Sequence, residues 1–149
     1  MPLTPPQIRL IETWRLGYVA TCADNLPNVS PKGTFVVPDP TRIAFMEMRS
    51  PKTLSNLQAN PFAEVNFVDI LTRRGLRISG AATIAARGTP EFDTDCPLFM
   101  PLFGYLEAMF GAVVSIAATD IRPLVTPAYE AGASEADLKA HWTRIVTTQ

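Results

Sequence analysis

The chain is predicted to be mainly β: an antiparallel barrel of about six strands carrying a few short helices. Three observations predict it. Short runs of strand-forming residues are bounded by proline, glycine and asparagine, and the 14 prolines cut the chain into pieces too short for a helical bundle. The regular alternation of strand and crossover helix that would announce a parallel sheet is missing. Finally, 149 residues, 47% of them hydrophobic and 18% charged, suffice for one well-packed core and not two, so residues 1–149 are read as a single domain.

Thr4-Pro5-Pro6-Gln7 is a helix start. Thr4 can cap, a proline fits the first turn, and Gln7 stands where a capping box wants its amide. Ile8, Leu10, Ile11 and Trp14 give that helix an apolar face, and it should end near Gly17. Gly17 to Ala23 reads as a strand, Asp24-Asn25-Leu26-Pro27 as a turn, and Asn28 to Val37 as the partner strand of a hairpin. Pro38-Asp39-Pro40 breaks it, and Arg42 to Met48 is a third strand. A short helix follows over Ser50 to Leu57, stopped by Asn60-Pro61. Phe62 to Val68 and Leu76 to Ala86 are further strands, with Ser79-Gly80 as a bulge or close-packing point. Pro90 to Met100 is irregular, and Leu102 to Gly111 is a helix candidate. Ala112 to Val125 reads as a last strand or a hairpin, with Val113, Val114, Ile116 and Ile121 as core candidates. Ser134-Glu135-Ala136-Asp137 caps a final helix with Leu138, Trp142 and Ile145 on one side.

A net charge of −1 argues against nucleic acid as a partner. No run of about 18 apolar residues suggests a membrane span. Met1 to Pro6 is proline-rich rather than a charged-then-apolar leader, so cytoplasmic residence is expected. Cys22 and Cys96 stand far apart, and with His141 as the single histidine no metal site is expected; both thiols read as small packed residues. His141 itself reads as an exposed or capping residue. No Ser–His–Asp arrangement, P-loop or Gly-rich dinucleotide fingerprint appears, and the carboxylates are scattered. No catalytic side chain stands out, so any enzymatic chemistry would come from a cofactor.

The most informative residues are Ser50, Pro51, Lys52 and Thr53. A serine cap and a proline at the first helical position fix a helix N-terminus, where free N–H groups and the positive end of the dipole favour an anion. Lys52 and the Thr53 hydroxyl add to such a pocket. Alternatively, Ser50 caps its own helix and Lys52 is solvated. Ser30, Pro31, Lys32, Gly33 and Thr34, on the strand leading toward that helix, bring a second lysine, two hydroxyls and a glycine a ligand could approach. They also read as a surface turn. Arg73, Arg74 and Arg77 form a third basic cluster, or a solvated face. Phe103, Tyr105, Met109 and Phe110 read as a cover for a ligand, or as core or interface.

Five blocks stand in the order and spacing of a known family. They are Leu16-Gly17-Tyr18-Val19-Ala20-Thr21, Pro27-Asn28-Val29-Ser30-Pro31-Lys32-Gly33, Ala44-Phe45-Met46-Glu47, the helix block from Ser50 to Asn60-Pro61, and Arg74-Gly75-Leu76-Arg77-Ile78-Ser79-Gly80-Ala81-Ala82. Over roughly residues 10 to 87 the chain resembles the pyridoxamine 5′-phosphate oxidase-like FMN-binding family. The resemblance implies an antiparallel split β-barrel of Greek-key type that forms a homodimer, with an FMN in each of two clefts at the subunit interface. It implies that Lys52 and Ser50 hold the FMN phosphate with Thr53 near, and that Ser30, Pro31, Lys32, Gly33 and Thr34 run along the flavin. Phe45, Met46 and Glu47 would line the ring or ribityl chain, and Arg74 or Arg77 would approach from the second subunit or a neighbouring strand. True pyridoxamine 5′-phosphate oxidases carry further basic and aromatic residues toward the C-terminus. Here that third offers only Arg122, Lys139, His141 and Arg144, so a different family member is implied. The expected function is hydride transfer between FMN and an unknown small substrate. The alternatives are a non-catalytic flavin carrier or sensor, and a deazaflavin- or haem-binding sibling.

Overall fold

The computed structural model describes residues 2–148; Met1 and Gln149, which the single-domain reading includes, lie outside the described residues. Helix α1 (Pro5–Trp14) starts on the predicted capping box, with the Thr4 N–H donating to the Gln7 side chain at 2.8 Å. Strand β1 (Gly17–Ala23) turns tightly through Asp24 and Asn25, both left-handed (φ 52° and 60°), into β2 (Leu26–Lys32). Two consecutive left-handed residues make the turn a two-residue hairpin loop. Leu26 and Pro27, predicted as turn, therefore belong to the strand. Pro27 and Pro31 are tolerated because β2 is an edge strand.

The predicted strand over Asn28 to Val37 is two strands: after β2 the chain leaves the ladder and re-forms as β3 (Val36–Asp39). Thr34 causes the break. Its hydroxyl donates to the Met46 carbonyl at 3.1 Å and accepts the Met46 N–H at 3.0 Å, so a side chain takes the place of a ladder partner. Strand β4 (Arg42–Glu47), helix α2 (Pro51–Ala59) and strand β5 (Phe62–Val68) follow as predicted, within a residue or two.

Strand β6 (Arg74–Ala86) joins the two halves of the barrel. Gly75 to Ala81 pair with β5, and Ala82 to Ala86 pair with β7 (Ala112–Ala117). Gly80 marks the crossing. A Cβ there would overlap the Ala117 carbonyl oxygen and stand 2.8 Å from its carbon, so this is a close-packing point. Ala112 to Val125, read as a last strand or a hairpin, is neither one strand nor a pair. Strand β7 pairs with β4 and β6, whereas β8 (Asp120–Val125) pairs with the first half of β6, in the other sheet. The described residues thus hold eight strands rather than six, all antiparallel, in the order β2-β1-β5-β6-β7-β4-β3 with β8 beside β6.

Residues 90–111 differ most from expectation. Pro90 to Met100, read as irregular, contains α3 (Pro90–Asp95), started by Thr89, whose side chain accepts the Phe92 N–H. The helix expected over Leu102 to Gly111 is instead α4 (Met100–Phe103) and a 3-10 segment over Gly104–Met109. Phe92, Phe99 and Phe110 bury themselves there with Val36, Ala44, Met46 and Val113 as a second core. The main core lies inside the barrel around Phe35, whose ring meets Phe45 and Phe67 at 5.3 and 4.7 Å between centroids. Ile11 of α1 closes one side of it. Helix α5 (Glu135–Thr147) lies on the outside, with Leu138, Trp142 and Ile145 half-buried and Arg73 stacked on Trp142 at 3.6 Å.

Candidate anion and cofactor cleft

Alternation along β2 points Asn28, Ser30 and Lys32 to the same face of the hairpin, and α2 covers that face. Ser50, Thr53 and Asn56, three residues apart on α2, meet it as a polar seam. The Ser30 and Ser50 hydroxyls lie 3.4 Å apart, Asn28 donates to Thr53 at 3.5 Å, and Asn56 donates to Thr21 at 3.1 Å. Asn60 adds a bond to the Cys22 carbonyl at 3.1 Å. The seam ties the start of α2 to the end of β2.

At the top of the seam lies a cleft of about 170 Å³, lined by Pro31, Lys32, Gly33, Thr34, Met46, Glu47, Met48, Arg49 and Ser50. Most of the predicted site residues meet there. Lys32 and Glu47 are buried and form an ion pair at 2.8 Å, with side chains 6% and 3% exposed. The Lys32 ammonium also donates to the Ser50 hydroxyl, and Glu47 accepts the Ser50 N–H. Ser50 therefore makes no side-chain cap to its own helix. Each Glu47 carboxylate oxygen is thus held, Oε2 by the Lys32 ammonium at 2.8 Å and Oε1 by the Ser50 N–H. The N–H groups of Lys52 and Thr53, in the first turn of α2, have no carbonyl one turn back within the helix to accept them.

The other predicted residues are placed differently. Lys52 is exposed in that first turn. Thr53 is fully buried in the seam. Phe45 is not among the lining residues: its ring sits in the main core, with the Lys32 ammonium 5.5 Å from its centroid. Arg77 lies on the outer face of β6, bonded to Asn66 at 3.1 Å and paired with Glu64 at 3.3 Å. Arg74 is held by Glu135 at 3.0 Å and stacks on Tyr129 at 4.2 Å. Within one chain neither arginine lines the cleft.

Two lining residues, Met48 and Arg49, were not singled out from the sequence. Arg49 directly precedes the Ser50-Pro51-Lys52 start, and a cation in that place was a readable signal. The polar seam was readable too, from the three-residue spacing of Ser50, Thr53 and Asn56 and the two-residue spacing of Asn28, Ser30 and Lys32.

Elsewhere the chemistry is sparse. A larger hollow of about 420 Å³ lies between Pro2, Thr4, Gln7 and Thr119 to Ile121. Its one charged side chain, Asp120, is tied to Arg122 at 2.7 Å. Cys22 and Cys96 are free, and burial pushes the Cys96 thiol pKa up, away from the reactive thiolate. Among the described residues no three His, Cys, Asp or Glu side chains gather as a metal site, and no helix is long and apolar enough to cross a membrane. His141 is exposed on α5, its ring edge-on to Trp142 at 5.0 Å. His141→Ala is expected to leave ligand binding unchanged and to move stability by no more than about 0.5 kcal/mol, measured by ligand titration and thermal melting.

The comparisons agree with this fold. HupZ from Group A Streptococcus superposes with a TM-score of 0.71 and 26% identity, over 83% of this chain and 95% of that one. An FAD-binding protein from Mesorhizobium loti gives 0.65 and 15%, over 83% and 95%. HutZ from Vibrio cholerae, named as the heme storage protein, gives 0.65 and 17%, over 82% and 94%. No curated protein matches. The profile of the family described as pyridoxamine 5′-phosphate oxidase matches residues 5–95, which include the whole seam and cleft. With more than half of its length matched, the chain belongs to the pyridoxamine 5′-phosphate oxidase family.

Proposed function

We propose that the chain is a cytoplasmic, FMN-binding, oxidoreductase-like protein that works as a homodimer with the flavin at the subunit interface. One observation carries this reading. Inside the matched region, Arg49 and Ser50 line one cleft, the Ser30 hydroxyl lies 3.4 Å from that of Ser50, and the first turn of α2, which carries the exposed Lys52, starts directly after Ser50. That is a seat for a phosphate, which brings nearly two negative charges. Gly33 and Thr34 have left the ladder, so a planar ligand can lie along their backbone. The Thr34 side chain, bonded to both backbone groups of Met46, holds that wall rigid.

When bound, FMN supplies hydride transfer to or from a small substrate; the chain supplies position and electrostatics. Its own cleft of about 170 Å³ takes a phosphate and part of the ribityl chain, whereas sites for larger ligands run to about 300–1,000 Å³. The ring therefore needs a second wall. The outer face of β1, β2, β5 and β6 supports one: Tyr18, Val29 and Phe62 are exposed there, near Arg77 and its partners Glu64 and Asn66. In a symmetric pair this face of each protomer covers the cleft of the other and brings Arg77 to it. The two free thiols suit a reducing compartment.

The test is an absorption spectrum of the purified protein, before and after adding FMN and removing the excess by gel filtration. Retained bands at roughly 370 and 450 nm, those of oxidised flavin, are expected. A protein that retains no FMN sinks the reading. The likeness to HutZ is what favours haem as a second reading, and an intense haem band after haem addition, with no FMN retained, would establish it. Oxidation of a reduced nicotinamide by the loaded protein separates an oxidoreductase from a carrier or sensor. Lys52→Ala is expected to weaken FMN by roughly 1.5–3 kcal/mol, the scale of a charge-assisted hydrogen bond. Unchanged affinity in a fluorescence titration would move the phosphate elsewhere.

A further inference from the structure

The segment between β6 and β7 carries more apolar surface than its own core takes up. From Cys96 to Gly111 the only charged residue is Glu107. Phe92, Phe99 and Phe110 turn inward and are buried. Leu98, Met100, Leu102, Tyr105 and Met109 are exposed, Tyr105 at 82%. A helical stretch that is apolar on all sides is ordinarily buried on all sides, and a cluster of exposed apolar side chains marks an interaction site. The platform beneath them is fixed. Arg87 donates to the Glu107 and Phe110 carbonyls, both at 3.1 Å, and Thr89 caps α3.

The surroundings of this face are acidic. Glu91 and Asp93 stand exposed in the first turn of α3, and Glu107 is exposed in the 3-10 segment. Burial raises the Cys96 thiol pKa most, and Glu107 and Asp93 raise it further, so both carboxylates stand close to Cys96, two residues before Leu98. Among the described residues none of these three acids forms an ion pair, whereas Asp95 is held by Arg42 at 3.0 Å. Three unpaired carboxylates beside an apolar face repel an anionic lipid surface. A symmetric face-to-face contact with a second copy would set them against each other. They suit a partner whose apolar anchor is flanked by lysine or arginine.

We propose that this face docks a second protein through a basic amphipathic segment, whose apolar side covers Leu98, Leu102 and Tyr105 while its cations meet Glu91, Asp93 and Glu107. Tyrosine and methionine are enriched at interfaces, and the flexible Met100 and Met109 side chains adapt to the shape laid on them. The face shares no residue with the lining of the cleft, so the inference stands whether or not the flavin reading holds.

The experiment titrates the full chain into a labelled synthetic helix with leucine along one face and lysine along the other, read by fluorescence anisotropy. A second helix carries glutamate in place of lysine. The variants are Leu102→Ser/Tyr105→Ser and Glu91→Gln/Asp93→Asn/Glu107→Gln, all at exposed residues and checked for folding by circular dichroism. Wild type is expected to bind the lysine helix about tenfold or more tighter than the glutamate helix, and each variant to weaken the lysine helix about tenfold or more. Added salt should weaken it too. No binding by wild type, equal binding of the two helices, or variants that bind like wild type each overturn the proposal. Should the serine variant fail to fold, the acid variant decides alone. Two further results also overturn it by assigning the face elsewhere. One is wild type retained on phosphatidylcholine–phosphatidylglycerol vesicles that release the serine variant, which gives the face to lipid. The other is a smaller assembly of the serine variant in sedimentation velocity, which gives it to a second copy.

Discussion

Gly80→Ala is expected to destabilise the fold by about 3 kcal/mol or more, enough to consume much of the 5–15 kcal/mol typical of a domain. The reason lies in how one strand serves two sheets. Strand β6 pairs with β5 up to Ala81 and with β7 from Ala82, and at the crossing its backbone passes directly against the corner after β7. The Thr119 N–H and hydroxyl both bond the Ser79 carbonyl, at 3.2 and 2.8 Å, pinning that corner in place. A methyl group at residue 80 would overlap the Ala117 carbonyl oxygen, which is backbone and cannot rotate away. Relief requires shifting β7 or β6, and each is held by ladders on both sides. Gly33→Ala is the control: nothing lies within 4 Å of a Cβ there, so stability should be unchanged or slightly raised, by up to about 1 kcal/mol. Urea midpoints of the two variants check the contrast. A Gly80→Ala midpoint equal to wild type would mean that the two sheets do not meet at this point.

What the sequence made legible is what local rules decide. The bounds of β1 and β5 were readable because Val19 and Thr21, and Ala63, Val65 and Phe67, alternate as buried residues with exposed or half-buried neighbours. The starts of α1, α2 and α5 were readable from Thr4-Pro5, Ser50-Pro51 and Ser134. The break at Thr34 was not, since Thr34-Phe35-Val36-Val37 is an unbroken run of strand formers. What interrupts it is a bond to Met46, twelve residues on. Nor could adjacency in sequence tell that β7 and β8 part company, because the partner of each is β6. The start of α3 carries a local signal: Thr89-Pro90-Glu91 is a cap, a first-turn proline and a first-turn acid, hidden among prolines. The site divides in the same way. Lys32 and Ser50 were readable as polar residues near a helix start. That Lys32 is buried against Glu47 depends on β2 and β4 ending side by side, which only the folded topology supplies.

That burial makes Lys32→Met the second variant expected to have a large effect, a loss of about 3–5 kcal/mol. The methionine fills the space of the lysine stem, so little of the loss is packing. The cost is electrostatic. Glu47 keeps the Ser50 N–H but is left 98% buried without its cation, in a site walled by Met46 and backed by the Phe45 ring. Removing both charges should restore most of the stability, because apolar residues of similar volume often replace a buried ion pair at no net cost. Lys32→Met/Glu47→Leu is therefore expected to unfold at a urea midpoint well above that of Lys32→Met alone, and the double-mutant cycle should return a coupling of the same sign and scale. The doubly substituted protein would still lack the carboxylate that orients the Ser50 amide at the head of α2. Stability should recover without ligand binding recovering with it, which separates a pair kept for folding from one kept to shape the cleft. If Lys32→Met costs less than about 1 kcal/mol, water reaches Glu47 and the pair is solvated, and the cleft is more open than its lining indicates.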